Sequence, residues 1–192
     1  MNKSFKNLAF ACILGAVAIS AHAKPAIKTN NTPVPALLAE LAKYQDSEKN
    51  VNQRLEVFDT LDFDVYTNQK WDRLHESHSQ DILVHYPDGH TSKGLPAHIE
   101  ELKPMFVFAP DTHIKTHPVK FGSGEWTAVI GVIEGTFTQP MLIGGGKTIP
   151  PTGKKFKLEM STIGHWNKAG VMDEEFLFWD NQNFMKQIGL AQ

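Results

Sequence analysis

The alternation of apolar and polar residues changes character near position 111. Before it the spacing is helical. Leu37, Leu38, Leu41 and Tyr44 recur on one side of a helix read from Ala36, and Val51, Leu55, Phe58 and Leu61 on one side of a second, with Glu48, Asn52 and Glu56 opposite. A third, short helical run is expected from Gln69 to His78, carrying Trp71 and Leu74. Asp81–Tyr86 alternates as a strand and ends at the turn Pro87-Asp88-Gly89. Leu95–Phe108 reads as another amphipathic helix, with a break or kink expected at Pro104.

From Asp111 onward the pattern is β. Thr112–Phe121 and Trp126–Thr138 form two long runs joined at Gly122-Ser123-Gly124, and Pro140–Gly153 reads as a long loop. The last stretch is the most informative. Phe156–Trp166 and Val171–Asp180 flank the connection Asn167-Lys168-Ala169-Gly170, a hairpin signal. Asp180-Asn181 then makes a good start for a helix through Phe184, Met185 and Ile188, closed by Gly189. Helices first and antiparallel strands after describe an α+β fold, in which the helices cover one face of a curved sheet.

The chain has 192 residues, 41% hydrophobic and 21% charged, with a net charge of −2. That is enough for one domain, and no basic field calls for nucleic acid as a partner. Lys3 and Lys6, the apolar run Leu8–Ile19 and the sequence Ala21-His22-Ala23 predict a secretory signal over residues 1–23, cleaved after Ala23. A flexible leader, 24–35, and a single domain, 36–192, follow in this reading. Once the signal is cleaved no membrane contact is expected, and the mature protein should be periplasmic or secreted. The one cysteine, Cys12, lies inside the signal, so the mature chain has neither a disulfide nor a thiolate to use.

Candidate chemistry is then confined to carboxylates and histidines. Gly144-Gly145-Gly146-Lys147-Thr148 fails as a phosphate loop, because the first required glycine falls on Met141 and Ile149-Pro150-Pro151 cannot open a helix. No Gly-x-Ser-x-Gly elbow is present. His75 and His78, three apart on the expected helix, could both face a metal. Their spacing is one residue short of the zinc-protease motif and no third ligand is evident, so no metal is assigned and a metal on this pair stays the minor reading. On the last strand, strict alternation puts Met172, Glu174, Phe176, Phe178 and Asp180 on one face and Asp173, Glu175, Leu177 and Trp179 on the other. The first set places two carboxylates among large apolar side chains, where a raised pKa suits acid/base work. Pairing across the hairpin favours His165 with Glu174 as a local pair, and sets Asp180 far along the strand from both.

The run Gly170-Val171-Met172-Asp173-Glu174-Glu175-Phe176, Asp180 beyond it and Met185-Lys186-Gln187-Ile188-Gly189-Leu190 resemble the C-terminal signature of the SnoaL-like polyketide cyclases, with Phe176 at the signature tryptophan. Pro151-Thr152-Gly153-Lys154, Gly135-Thr136-Phe137, Asp81-Ile82-Leu83-Val84-His85, Gly94 and Pro110-Asp111 extend the likeness over about Val51 to Leu190. The resemblance implies a nuclear transport factor 2-like, cone-shaped α+β barrel, often a homodimer through its sheet. It also implies cofactor-free acid/base chemistry on a small hydrophobic carbonyl compound. By the same resemblance Asp180 is the candidate acid/base, assisted by His165, with Glu174 at the signature glutamate. His85, Phe106, Phe176 and Phe178 are the candidate substrate contacts. The alternative is an exported pocket that binds a small apolar ligand without turnover.

Overall fold

A computed structural model describes residues 33–192. The signal and most of the leader lie outside the described residues. The two helices expected at the start are one: α1 runs unbroken for 27 residues, Val34–Thr60, with Pro35 in its first turn, where a missing N–H costs nothing. Only its second half is packed, through Val51, Leu55 and Phe58. Leu37, Leu38, Leu41 and Tyr44 are exposed. Nothing between Tyr44 and Val51 breaks a helix, so local propensity carries the chain past the point where packing begins.

The helix then widens into a π turn, Leu61–Tyr66, whose residues Leu61, Asp62, Val65 and Tyr66 are all buried. Thr67 ties this turn to the sheet, its hydroxyl donating to the Asp62 carbonyl at 2.7 Å and accepting from the Ile114 amide at 2.9 Å. The third expected helix is a 3₁₀ turn, Trp71–Glu76, and His78 belongs to the strand after it. That strand is β1, His78–His85; β2 is Thr91–Lys93, and α2 spans Leu95–Phe108, running through Pro104.

Seven strands make the main sheet. β3 is His113–Ile114, β4 Val119–Ser123, β5 Trp126–Thr136, β8 Lys155–Trp166 and β9 Met172–Trp179, in the order β2-β1-β9-β8-β5-β3, with β4 also pairing β5. β6 (Met141–Leu142) and β7 (Thr148–Ile149) form a small separate hairpin in the expected loop. The strand expected over Thr112–Phe121 is thus split around Pro118, which has no N–H to give a ladder. One pairing is parallel: β1 lies beside β9, which closes the sheet over elements far apart in sequence. α3, Asn181–Gln187, caps the far end. Among the described residues no helix is long and apolar enough to cross a membrane.

Two apolar clusters hold the helices in the curved sheet. One joins Val51, Leu55, Phe58, Leu74, Ile82, Val129, Trp166 and Met172; the other joins Tyr66, Phe106, Phe108, Ile133, Phe137, Phe156, Phe184 and Ile188. Trp166 is fully buried and its indole N–H donates to Thr127 Oγ1 at 2.8 Å, so a polar atom inside the first cluster is satisfied. The packing of α1 on β4 depends on Gly122. A Cβ there would stand 2.6 Å from the Trp126 carbonyl oxygen and 2.8 Å from Val51 Cγ1. The carbonyl cannot give way without breaking the β4–β5 ladder. Gly122→Ala is expected to lower stability by about 1–3 kcal/mol, read by denaturant titration; an unchanged midpoint would show that α1 is not seated on β4 in this way.

Candidate functional site

β9 does not alternate strictly. Trp166 pairs with Met172 but His165 pairs with Glu174, so Asp173 is an extra residue, a β-bulge. Past the bulge the faces exchange. Met172 points inward, and so do Glu175, Leu177 and Trp179, opposite Gly164, Thr162 and Met160 of β8. Glu174, Phe176 and Phe178 point outward. The carboxylate delivered to the interior is therefore Glu175 and not Glu174.

Inside lies a cavity of about 360 Å³, at the seam of the two apolar clusters. Phe58, Leu102, Met105, Phe108, Leu158 and Leu177 supply much of an apolar wall, into which Asp62, His78, His98 and Glu175 introduce charge and polarity. His78 and His98 are each 2% exposed, Glu175 4% and Asp62 6%. Glu175 Oε2 lies 3.5 Å from His98 Nε2 and 3.8 Å from His78 Nε2, and neither contact is a hydrogen bond. His78 Nε2 and Glu175 Oε2 have no hydrogen-bond partner among the described residues.

Each histidine is oriented from behind. His78 Nδ1 lies 2.8 Å from Ser77 Oγ, and the serine donates onward to the Leu74 carbonyl at 3.2 Å. His98 Nδ1 lies 3.0 Å from the Tyr86 hydroxyl, which is 3.3 Å from Ser92 Oγ. Burial pushes His98 down to about 4 and raises Tyr86 to about 12, so both are neutral at neutral pH. Burial pushes the Glu175 carboxyl up, but the neighbouring imidazoles, His78 first, more than offset this and hold it below its ordinary range.

Asp62, from the π turn, behaves in the opposite way. Burial holds its carboxyl above the ordinary range, although His117 Nε2 bonds its Oδ2 at 2.8 Å. His117 Nδ1 bonds Asp59 Oδ1, also at 2.8 Å, so the imidazole is clamped between two carboxylates. Gly131 leaves the room: a Cβ there would lie 3.2 Å from Asp62 Oδ2.

None of the seven candidate catalytic and substrate-contact residues lines this cavity, although His78, the candidate metal ligand, does. Asp180 is exposed and caps α3, its Oδ1 accepting from the Asn183 amide at 2.8 Å. Phe106 is buried, but packs between Tyr66 and Trp71 with ring centroids 5.0 and 5.6 Å away. The other five share the outer face of the sheet. His85 Nε2 lies 2.9 Å from Glu174 Oε1 and the His85 ring stacks on Phe176 at 4.2 Å. His165 bonds Asp173 at 2.6 Å, not Glu174 beside it, and Phe178 is 51% exposed. The bulge at Asp173 is the physical reason that Glu174, Phe176 and Phe178 face out, while His165 faces out by the ordinary alternation of β8. His75 and His78 also part company: His75 is exposed on the 3₁₀ turn, with Nδ1 near the Asp72 carbonyl. The interior residues carry a weaker signal in the sequence, isolated polar side chains inside apolar runs: Asp62 in Leu61-Asp62-Phe63, and His98 one residue before Ile99.

A family model described as SnoaL-like polyketide cyclase matches residues 58–188. No curated protein sequence matches the chain. Among solved structures, a SnoaL-like polyketide cyclase candidate from Jannaschia sp. CCS1 superposes with a TM-score of 0.63 at 19% identity, covering 74% of this chain and 95% of that one. IdmH, a polyketide cyclase candidate from Streptomyces antibioticus, gives 0.60 at 20% identity, covering 71% and 99%. A protein of ketosteroid isomerase-like fold from Catenulispora acidiphila gives 0.56 at 13%, covering 73% and 95%. These likenesses show the fold, a nuclear transport factor 2-like and ketosteroid isomerase-like one.

The clamp on His117 has a consequence for stability. Burial alone would push the imidazole down, but its hydrogen bonds to Asp62 and Asp59 and their charge hold it above its ordinary 6.5. The folded chain binds this proton more tightly than the unfolded one. The stabilisation is complete below pH 6.5 and is lost as pH rises through the folded value. His117→Gln should therefore destabilise the protein at pH 6, and the gap from wild type should narrow at pH 9. Urea titrations at the two pH values test this; a gap that widened with pH would reverse the assignment.

Proposed function

The chain belongs to the SnoaL-like polyketide cyclase family, and from that premise we propose that it catalyses a cyclase- or isomerase-type proton transfer on a small hydrophobic carbonyl compound held in the interior cavity. One observation carries the reading. Two buried carboxylates line the same apolar cavity, and their surroundings displace them in opposite directions, Asp62 up and Glu175 down. Such a split assigns roles: a group that holds its proton more tightly is suited to exchange it with substrate, while one that stays ionised organises the donors around it.

Asp62 is then the acid/base, taking a proton from carbon next to the carbonyl and returning it elsewhere, with His117 fixing its orientation. Glu175, His78 and His98 form the polar end of the cavity, where the two imidazoles face the carbonyl oxygen. The apolar wall excludes water and strengthens each of these interactions. The volume of about 360 Å³ supports a compact substrate, near the lower end of the usual range for ligand pockets.

Two further statements belong to this proposal. The mature chain works outside the cytoplasm, a reading supported by the basic, apolar and Ala-x-Ala segments of residues 1–23. It pairs with a second copy through the outer sheet face, a reading supported by the exposed Phe121, Trp126 and Phe178 there.

Proton abstraction is detectable before the product is known, as solvent deuterium entering the α-carbon of small apolar ketones and esters, followed by NMR. Wild type is expected to catalyse exchange and Asp62→Asn to lose at least about 100-fold. Asp180→Ala should keep the exchange rate and lose about 1 kcal/mol of stability with its helix cap. Exchange kept by Asp62→Asn but lost by Asp180→Ala would overturn the assignment. Absence of exchange in wild type with every compound, together with saturable binding, would favour the non-catalytic reading.

A further inference from the structure

We propose that His78, His98 and Glu175 form a binding site for one divalent first-row transition-metal ion, with an open coordination position facing the cavity. His78 Nε2, His98 Nε2 and a Glu175 carboxylate oxygen lie within 4.8 Å of one another, on three different elements: the start of β1, α2 and β9. Two imidazoles and one carboxylate make a donor set that suits zinc or iron(II).

The geometry favours an ion over a proton. His78 Nε2 and Glu175 Oε2 face each other at 3.8 Å, both buried and both without a partner among the described residues. A proton on either atom cannot bridge that gap as a hydrogen bond. An ion can: with ligand bonds of about 2.1 Å, separations of 3.5 and 3.8 Å correspond to angles at the metal of about 115° and about 130°. A shift of a few tenths of an ångström would bring the wider angle close to tetrahedral.

Tautomers agree with this. A ligating Nε2 must carry no proton, so the proton must sit on Nδ1 and find an acceptor there. Both rings have one. His78 Nδ1–H can donate to Ser77 Oγ, whose own hydroxyl proton goes to the Leu74 carbonyl. His98 Nδ1–H can donate to the Tyr86 oxygen, whose proton goes to Ser92 Oγ. Each hydroxyl has an onward acceptor, so both imidazoles present a lone pair to the same point without stranding a proton.

The site deepens the proton-transfer reading and rests on it only for the ion's role. Glu175 ionised beside a developing enolate would repel it; a divalent ion held there reverses the sign of the field and polarises the carbonyl oxygen, while Asp62 stays free to move the proton.

The test is a titration of the chelator-stripped full chain with Co²⁺ and Zn²⁺, read by visible d–d absorption, by competition with a chromophoric chelator and by melting temperature. One equivalent of Co²⁺ should give the absorption of a low-symmetry, four- or five-coordinate site, and one equivalent of Zn²⁺ should raise the melting temperature. His98→Gln should weaken binding at least 100-fold, and Tyr86→Phe, which leaves the ligands intact, about 10-fold. Wild type showing neither absorption nor a thermal shift at one equivalent would overturn the site. So would His98→Gln binding as tightly as wild type, since the ion would then sit elsewhere. All these readouts are independent of turnover, so failure of the proton-transfer reading leaves them interpretable.

Discussion

The structure turns on one extra residue in the last hairpin. β8 presents Thr162, Gly164 and Trp166 to the interior by ordinary alternation, and β9 would answer with Met172, Glu174 and Phe176 if it alternated too. Asp173 is accommodated as a bulge, and everything beyond it changes face. Met172 keeps its place in the core, fitted against Gly164, where even a Cβ would come within 2.4 Å of its sulfur. Three residues later Glu175 enters the same interior. A strand thus delivers both a core anchor and a charge to one side, which strict period-two geometry cannot do at a spacing of three.

That delivery is costly, and the fold is arranged around the cost. A lone carboxylate in an apolar interior would take up a proton. Here two imidazoles from β1 and α2 lie close to it, and its carboxyl is held below the ordinary range. The parallel pairing of β1 with β9 is what brings His78 alongside, since Met172 is its register partner and Glu175 lies three residues on. Asp62, one cavity wall away, has a single imidazole shared with Asp59 and is left on the opposite side of the balance. With Cys12 the only cysteine and no disulfide available to the domain, the two apolar clusters must bear this burden alone.

Much of the architecture was legible in the sequence. The α2 helix, the β8–β9 hairpin, the Asp180 cap and the closing helix all follow from local signals: period, turn residues and capping chemistry, each read over a few positions. The C-terminal signature carried the family, and with it the curved sheet. The interior of the site was not legible, for a reason that can be located. Period-two reading assumes an unbroken ladder, and a bulge leaves no mark in one sequence when the extra residue is an unremarkable aspartate. His78 was read onto a helix because Trp71 and Leu74 share helical spacing, yet the chain spends those residues on a 3₁₀ turn and starts a strand at His78. His98 and Glu175 are 77 positions apart, and only the tertiary fold brings them together.

The outer and inner faces of the same strand now divide the chemistry sharply. Outside, His85–Glu174 and His165–Asp173 are partnered pairs at the surface, where solvent screens each charge and both members already have hydrogen bonds. Inside, His78 Nε2 and Glu175 Oε2 are buried and unpartnered among the described residues. A surface pair that is satisfied gains little from a third participant. A buried pair that cannot reach itself across 3.8 Å, with each side chain held from behind, gains a great deal. Unspent bonding capacity in an apolar space is the condition under which a bound molecule or ion is held strongly, which is why the proposed chemistry is placed on the inner face.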